Sequence, residues 1–215
     1  MLNERILARI PTLQDAAVLE LGAGNGYFAA MMRDRFSGQA PRRHVITDQS
    51  KRLLEIAERH FRLPGTEYVQ LDVRAPFPFD DGAFDLVLAT MVFNEITTAG
   101  VRRALGECRR VLHPSGRLLA TVLHPEFVAS LAKRGELRRE RGRQMTMPGA
   151  DGIRLPVVVR KQEAYERLLQ ASGFSWESED VYATEEVLRA KPGLSGSNNV
   201  PLALIFDCRV GSDLR

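Results

Sequence analysis

Short, almost wholly apolar runs of strand length alternate with segments whose apolar residues recur every three to four positions, and this alternation leaves few folds open. "AAVLEL" precedes "GYFAAMMRDRF", in which Phe28, Met31, Met32 and Phe36 share one helix face. "RHVIT" precedes "SKRLLEIAERHF", where Leu53, Leu54, Ile56, Ala57 and Phe61 form a second stripe. "TEYVQL" is a further strand, and "FDLVLAT", apolar on both faces, leads into the helical pattern "TAGVRRALGECRRVL". After a turn at "HPSG" comes another buried strand, "RLLATVL". Strands apolar on both faces need helices on both sides of a parallel sheet. The expectation is a doubly wound α/β domain.

The alternation stops between Pro125 and Arg160, where basic "LAKRGELRRERGRQ" and "MPGADGIRLP" read as a turn-rich insertion. A helix ("KQEAYERLLQASG") and two strands ("FSWESEDVYA" and "VPLALIFDCRV") follow it. The 215 residues suit a single domain over 1–215 with a lid insertion at about 125–160. A hydrophobic content of 44% is too high for a disordered chain. No apolar run approaches the roughly 18 residues that span a bilayer. The charged start "MLNERILARI" lacks the apolar centre of a signal peptide. Cys108 and Cys208 stand far apart in no CxxC arrangement, so neither a disulfide framework nor a zinc site is expected, and the cytoplasm is the expected compartment.

The strongest local signal is Glu20-Leu21-Gly22-Ala23-Gly24-Asn25-Gly26-Tyr27. A dinucleotide fingerprint, GxGxxG counted from Gly22, would place glycine where Tyr27 stands, and a P-loop would end in GKS or GKT. What remains is an acid at a strand end, then alternate glycines opening a helix. Bare backbone lets a ligand approach closely, and the helix N-terminus favours a carboxylate.

Four ordered pieces, "LELGAGNG", "ITDQS", "LDVRAPFPFDDGAFDLV" and "RRVLHPSGRLLATVLHP", resemble the class I S-adenosylmethionine-dependent methyltransferases. The likeness is greatest to the small-molecule, quinone-biosynthesis-like group and runs from about Ala17 to Leu123. It implies a Rossmann-like, mostly parallel seven-stranded sheet with an antiparallel last strand, and S-adenosyl-L-methionine as cofactor. It also implies roles for matching positions. Gly22, Gly24 and Gly26 would pass the methionyl and ribose portions, with Glu20 holding the loop and the amino group. Asp48, beside Gln49, would accept both ribose hydroxyls, Asp72 and the Val73 amide would meet the adenine, and the Ala89 carbonyl would meet the ammonium. On the residues alone, Asp48 could instead cap the following helix and Asp72 could be a turn residue. Asp80 and Asp81, beside Gly82, read as turn formers.

The chain departs from its relatives in carrying Glu95 where they often have histidine after the fourth strand. Its segment before the first strand is also short, so the insertion is expected to cover the cofactor. His124, directly after "RLLATVL", is expected at the mouth of the site, either as a base for the acceptor or as an anchor for the lid. Glu95 is a second catalytic candidate and Tyr165 a reserve. The four histidines have no metal-ligand spacing, so no metal is expected. No N/D-P-P-Y/F motif follows the fourth strand, and both cysteines look structural. Glu136 and Glu140 interrupt the basic stretch "KRGELRRERGR", which carries no aromatic platforms and reads as a solvated helix face. The acceptor is therefore expected to be a small organic molecule rather than nucleic acid or a membrane, and a homodimer stays open. Two other readings remain on the residues alone: a nicotinamide-dependent oxidoreductase, which Tyr27 argues against, and a cofactor-binding module without catalysis.

Overall fold

A computed structural model describes residues 2–60, 65–139, 145–149, 153–190, 194 and 199–211. Strands β1 (Ala17–Leu21), β2 (Arg43–Asp48), β3 (Thr66–Gln70), β4 (Phe84–Thr90) and β5 (Leu112–Leu123) are parallel neighbours. The insertion contributes β6 (Arg138–Arg139), β7 (Met145–Pro148) and β8 (Arg154–Val157) as a separate antiparallel sheet. β9 (Phe174–Tyr182) and β10 (Pro201–Val210) complete the main sheet in the order β3-β2-β1-β4-β5-β10-β9, with β10 antiparallel to both neighbours. The seven-stranded, mostly parallel sheet with an antiparallel last strand is thus the one expected.

Helices α1 (Leu2–Leu7), α2 (Tyr27–Arg35), α3 (Lys51–His60), α4 (Thr98–Val111), α5 (Pro125–Lys133), α6 (Gln162–Ala171) and α7 (Glu185–Ala190) accompany it. Strand alternation sorts the core into two faces. Leu19, Leu21, Val87 and Leu118 pack with Ala104, Leu105 and Leu168 of α4 and α6. Val18, Leu88 and Leu119 pack on the other face with Ile6 and Leu7 of α1 and Phe28 and Met32 of α2. Glu20, between Leu19 and Leu21, therefore stands on the α1–α2 face. In α3 the stripe narrows to Leu54 and Ala57, and Phe61 lies outside the described residues.

Two expectations change, and the short segment before β1 behaves as expected. The "HPSG" turn lies within β5, where the pairing slips between Phe84↔Leu112 and Leu86↔Arg117 and the extra residues bulge. Gly116 permits this, because a Cβ there would meet the His113 carbonyl oxygen at 2.9 Å. The basic stretch is not a helix face beyond its first residues: α5 stops at Lys133, Gly135 takes a φ of 71°, and Arg138 and Arg139 pair with β7. Residues 140–144 of that stretch lie outside the described residues. The segment before β1 does not reach over the glycine turn. Instead α1 packs under the sheet, with Arg5 and Arg9 both paired to Glu179 of β9.

Candidate functional site

β1 ends at Leu21 and the chain turns through Gly22 (φ +60°) and Gly24 (φ +59°) before α2 begins. Both sit in left-handed backbone that a side chain would strain. A Cβ on Gly22 would press the Val92 side chain at 2.6 Å, whereas one on Gly24 would meet open space. The turn is stitched to β2: the Ala23 amide donates to the Thr47 carbonyl at 2.8 Å, and the Thr47 hydroxyl to the Glu20 carbonyl at 2.9 Å. Asp48, at the end of β2, accepts the Gly24 amide on Oδ2 and the Ser50 amide on Oδ1, both at 2.8 Å. It therefore both holds the glycine turn and leads into α3. Each carboxylate oxygen keeps a second acceptor position for a ligand.

These residues open a cleft of about 580 Å³ at the carboxyl ends of the parallel strands. Of the predicted positions, Gly22, Gly24, Asp48, Gln49, Val73 and Glu95 line it together. Ser50, Leu53, Leu71, Thr90, Met91, Val92, Ile96 and Leu155 complete the wall. Met91 is a lining residue that sequence reasoning missed. It takes a φ of 61° as β4 ends, with its amide donating to the Thr121 carbonyl at 2.9 Å. Non-glycine residues in this region cost about 1–3 kcal/mol and cluster at functional sites. No pattern in "LATMVF" signals it.

The other predicted positions are placed differently. Ala89 lies inside β4, fully buried, because the strand runs one residue further; Thr90 and Met91 reach the cleft instead. Gly26 caps α2 from a left-handed conformation and does not line the wall. The Asp72 carboxylate turns to Arg74, which it meets at 2.7–3.1 Å through Nε and Nη2, and this guanidinium holds it below the usual carboxylate range. Glu20 is buried beneath the turn, with Oε2 lacking a hydrogen-bond partner, and burial pushes its carboxyl up to about 8.

Glu95 faces the cleft from the loop after β4, and the insertion holds that loop. The Val158 amide donates to the Asn94 carbonyl at 2.7 Å. The Arg160 guanidinium, 8% exposed, donates to the carbonyls of Phe93 (2.7 Å) and Ile96 and to the Thr98 hydroxyl (3.1 Å). The Glu95 carboxyl is raised above its ordinary value by partial desolvation and by the nearby charge of Asp48. Tyr165 is buried against Phe206, its hydroxyl meeting Arg160 at 3.3 Å rather than the cleft.

His124 does not line the cleft. Its Nδ1 accepts the Glu126 amide at 3.2 Å as the N-cap of α5, and its Nε2 lies 3.4 Å from Asp180 Oδ1. Its own amide donates to the Leu202 carbonyl at 3.0 Å. Both ring nitrogens are engaged, so the expectation of acceptor contact gives way to the anchoring role: His124 fastens α5 to β9 and β10. Among the described residues no group of histidine, cysteine or acidic side chains could hold a metal ion.

Residues 19–120 match the family described as a methyltransferase domain. The chain is 38% identical over 111 residues to a demethylmenaquinone methyltransferase of Thermus thermophilus, an overlap of 50% of this chain and 47% of that protein. It is 33% identical over 124 residues to the Thermotoga maritima protein of the same name, covering 57% and 50%. The chain thus spans about half the length of the curated relatives it matches. A solved S-adenosylmethionine-dependent methyltransferase from Mesorhizobium loti superposes with a TM-score of 0.72 at 20% identity, covering 96% of both chains, and so shares the fold.

Proposed function

We propose, from the premise that its residues 19–120 match the methyltransferase-domain family, that this chain transfers a methyl group from S-adenosyl-L-methionine to a small organic acceptor. The observation that carries this reading is the convergence of Gly22, Gly24 and Asp48 on one cleft at the carboxyl ends of the strands, where open α/β sheets bind ligands. The cofactor fits the residues present. Asp48 keeps free acceptor positions for a vicinal diol, and Gln49 and Val73 line the same cleft. Glu20, buried beneath the glycine turn rather than on the wall, keeps an unpartnered carboxyl oxygen that an ammonium could satisfy once the turn yields to it.

The cofactor supplies an electrophilic methyl carbon on a sulfonium. The protein's part is alignment, water exclusion and, for a protonated nucleophile, removal of a proton. Glu95 is our candidate for that proton, because it lines the cleft and its raised pKa would make it a stronger base than an exposed carboxylate. With the cofactor bound, an acceptor whose lone pair displaces the sulfur at that carbon would pass its proton to Glu95. Leu53, Val92, Ile96 and Leu155 give the cleft an apolar side suited to an organic acceptor. We read 125–160 as the lid of a single domain, since Leu155 reaches the cleft while Arg160 anchors its base. A reducing cytoplasm suits the two buried free thiols; no described helix is long and apolar enough to cross a membrane.

Isothermal calorimetry with S-adenosyl-L-methionine, its demethylated product and NADH tests the reading. Saturable binding of the first two with no heat from NADH is expected. Binding of NADH alone, or of none of the three, would overturn it.

A further inference from the structure

We infer that a second ligand site lies at the opposite end of the strands from the cleft: a cavity of about 320 Å³ beneath the last turn of α2, fitted to a compact, uncharged, mostly apolar molecule bearing one hydroxyl group. Leu13, Ala29, Met32 and Phe36 form its apolar wall. His44 of β2 and Thr66 of β3 supply the polar part, and they are register partners on adjacent strands, so they stand side by side on the α2 face.

His44 is only 5% exposed and its Nε2 is buried without a hydrogen-bond partner; the Thr66 hydroxyl oxygen is also buried and unpartnered. A buried polar atom left unsatisfied costs about 1–3 kcal/mol, and such groups are rare in folded proteins. Two of them at neighbouring positions lining one cavity form a complementary pair. A single ligand hydroxyl can donate to the imidazole nitrogen and accept from the Thr66 hydroxyl, satisfying both.

The charge balance selects an uncharged ligand. Burial pushes the imidazole down to about 4, so it is neutral at pH 7. The two guanidinium groups on the wall already have carboxylate partners: Arg33 meets Asp34 at 2.7 Å and Arg42 meets Asp85 at 2.6 Å. The occupant would touch the two elements that carry cofactor-site residues at their far ends, α2 after the glycine turn and β2 before Asp48. Its binding does not depend on the proposed activity.

Phenol is the probe and toluene its control without the hydroxyl, both followed in the intact protein by NMR of the Met32 methyl group on the cavity wall and, where it is present, of the His44 ring. Phenol should shift the ring resonances saturably and bind at least about five-fold more tightly than toluene, the worth of one net hydrogen bond. His44→Phe should abolish that preference while toluene still binds. Thr66→Val, which keeps the side-chain shape, should reduce it and serves where His44→Phe fails to fold. Ring resonances unmoved by millimolar phenol, equal affinities for the two probes, or a preference untouched by Thr66→Val would overturn the site.

Discussion

Asp48 does two jobs with one carboxylate, holding the Gly24 amide and the Ser50 amide. The second was legible in the sequence, because an acid at a strand end followed by serine is a turn signal, whereas the bond to the glycine turn needs the fold to bring the two together. Asp48→Ala should weaken S-adenosyl-L-methionine binding by about 2 kcal/mol, roughly thirty-fold, as charge-assisted bonds to the ligand are lost. Calorimetry measures this, and unchanged affinity would leave Asp48 a purely structural residue. Glu95→Gln should lower turnover by about a hundredfold with cofactor affinity kept, once an acceptor is in hand. In the parent protein the proposed methyl transfer should speed up as pH rises through the raised Glu95 pKa, since the base must be ionised. A flat pH profile would remove Glu95 from proton transfer. His124 was harder to read, because histidine before proline suits both a site mouth and a helix start. Pro125 at the first helical position was the sign of the second, and the imidazole nitrogen replaces the usual serine or aspartate cap. His124→Ala should therefore cost about 1 kcal/mol of stability in urea unfolding and leave turnover largely intact.

The long, periodic elements were legible because their burial pattern repeats, and the insertion was not. β7 and β8 are four residues each, with partly exposed positions, so no alternation survives in "MTMP" or "RLPV" to separate strand from turn. Their placement depends on long-range contacts, above all the Arg160 guanidinium reaching back to the Phe93–Thr98 loop. Arg160→Met keeps the apolar stem but strips four acceptors, the Phe93 and Ile96 carbonyls and the Thr98 and Tyr165 hydroxyls, of their donor. It should destabilise the protein by about 2–4 kcal/mol and loosen the Glu95 loop. Hydrogen exchange over residues 93–98 should accelerate beyond the global change in stability, and exchange rising only in step with global unfolding would argue against a local clamp. In the parent protein, ligand in the cleft should slow exchange across residues 153–160, the segment that brings Leu155 to the wall.

At the scale of the whole molecule, the doubly wound topology followed from strands apolar on both faces, but the two buried titratable groups that face α2 did not. Their burial depends on packing that one-dimensional pattern does not carry, and together they set a pH dependence. Glu20 has its pKa pushed up to about 8 from 4.5, so between those values the folded chain holds a proton that the unfolded chain has lost. Its contribution is full below pH 4.5 and falls as pH rises toward 8. His44, pushed down to about 4 from 6.5, has the opposite sign: its contribution is present above pH 6.5 and is lost as pH falls toward 4. Between pH 4.5 and 6.5 the two slopes oppose each other. Above 6.5 the imidazole is neutral in both states and Glu20 acts without that opposition. The cofactor-free protein should therefore lose stability from pH 6.5 to 8, with Glu20 contributing at most about 1.4 kcal/mol per pH unit. Glu20→Gln should remove most of that fall, and urea unfolding at several pH values measures it. An ammonium bound against Glu20 would favour its ionised form, so cofactor binding near pH 7 should expel a proton. Calorimetry in buffers of different ionisation enthalpy should detect that proton in the parent protein and not in Glu20→Gln. A slope unchanged by Glu20→Gln would mean that Glu20 is ionised in the folded chain, and its unpartnered oxygen would then need a cation that none of the described residues places beside it.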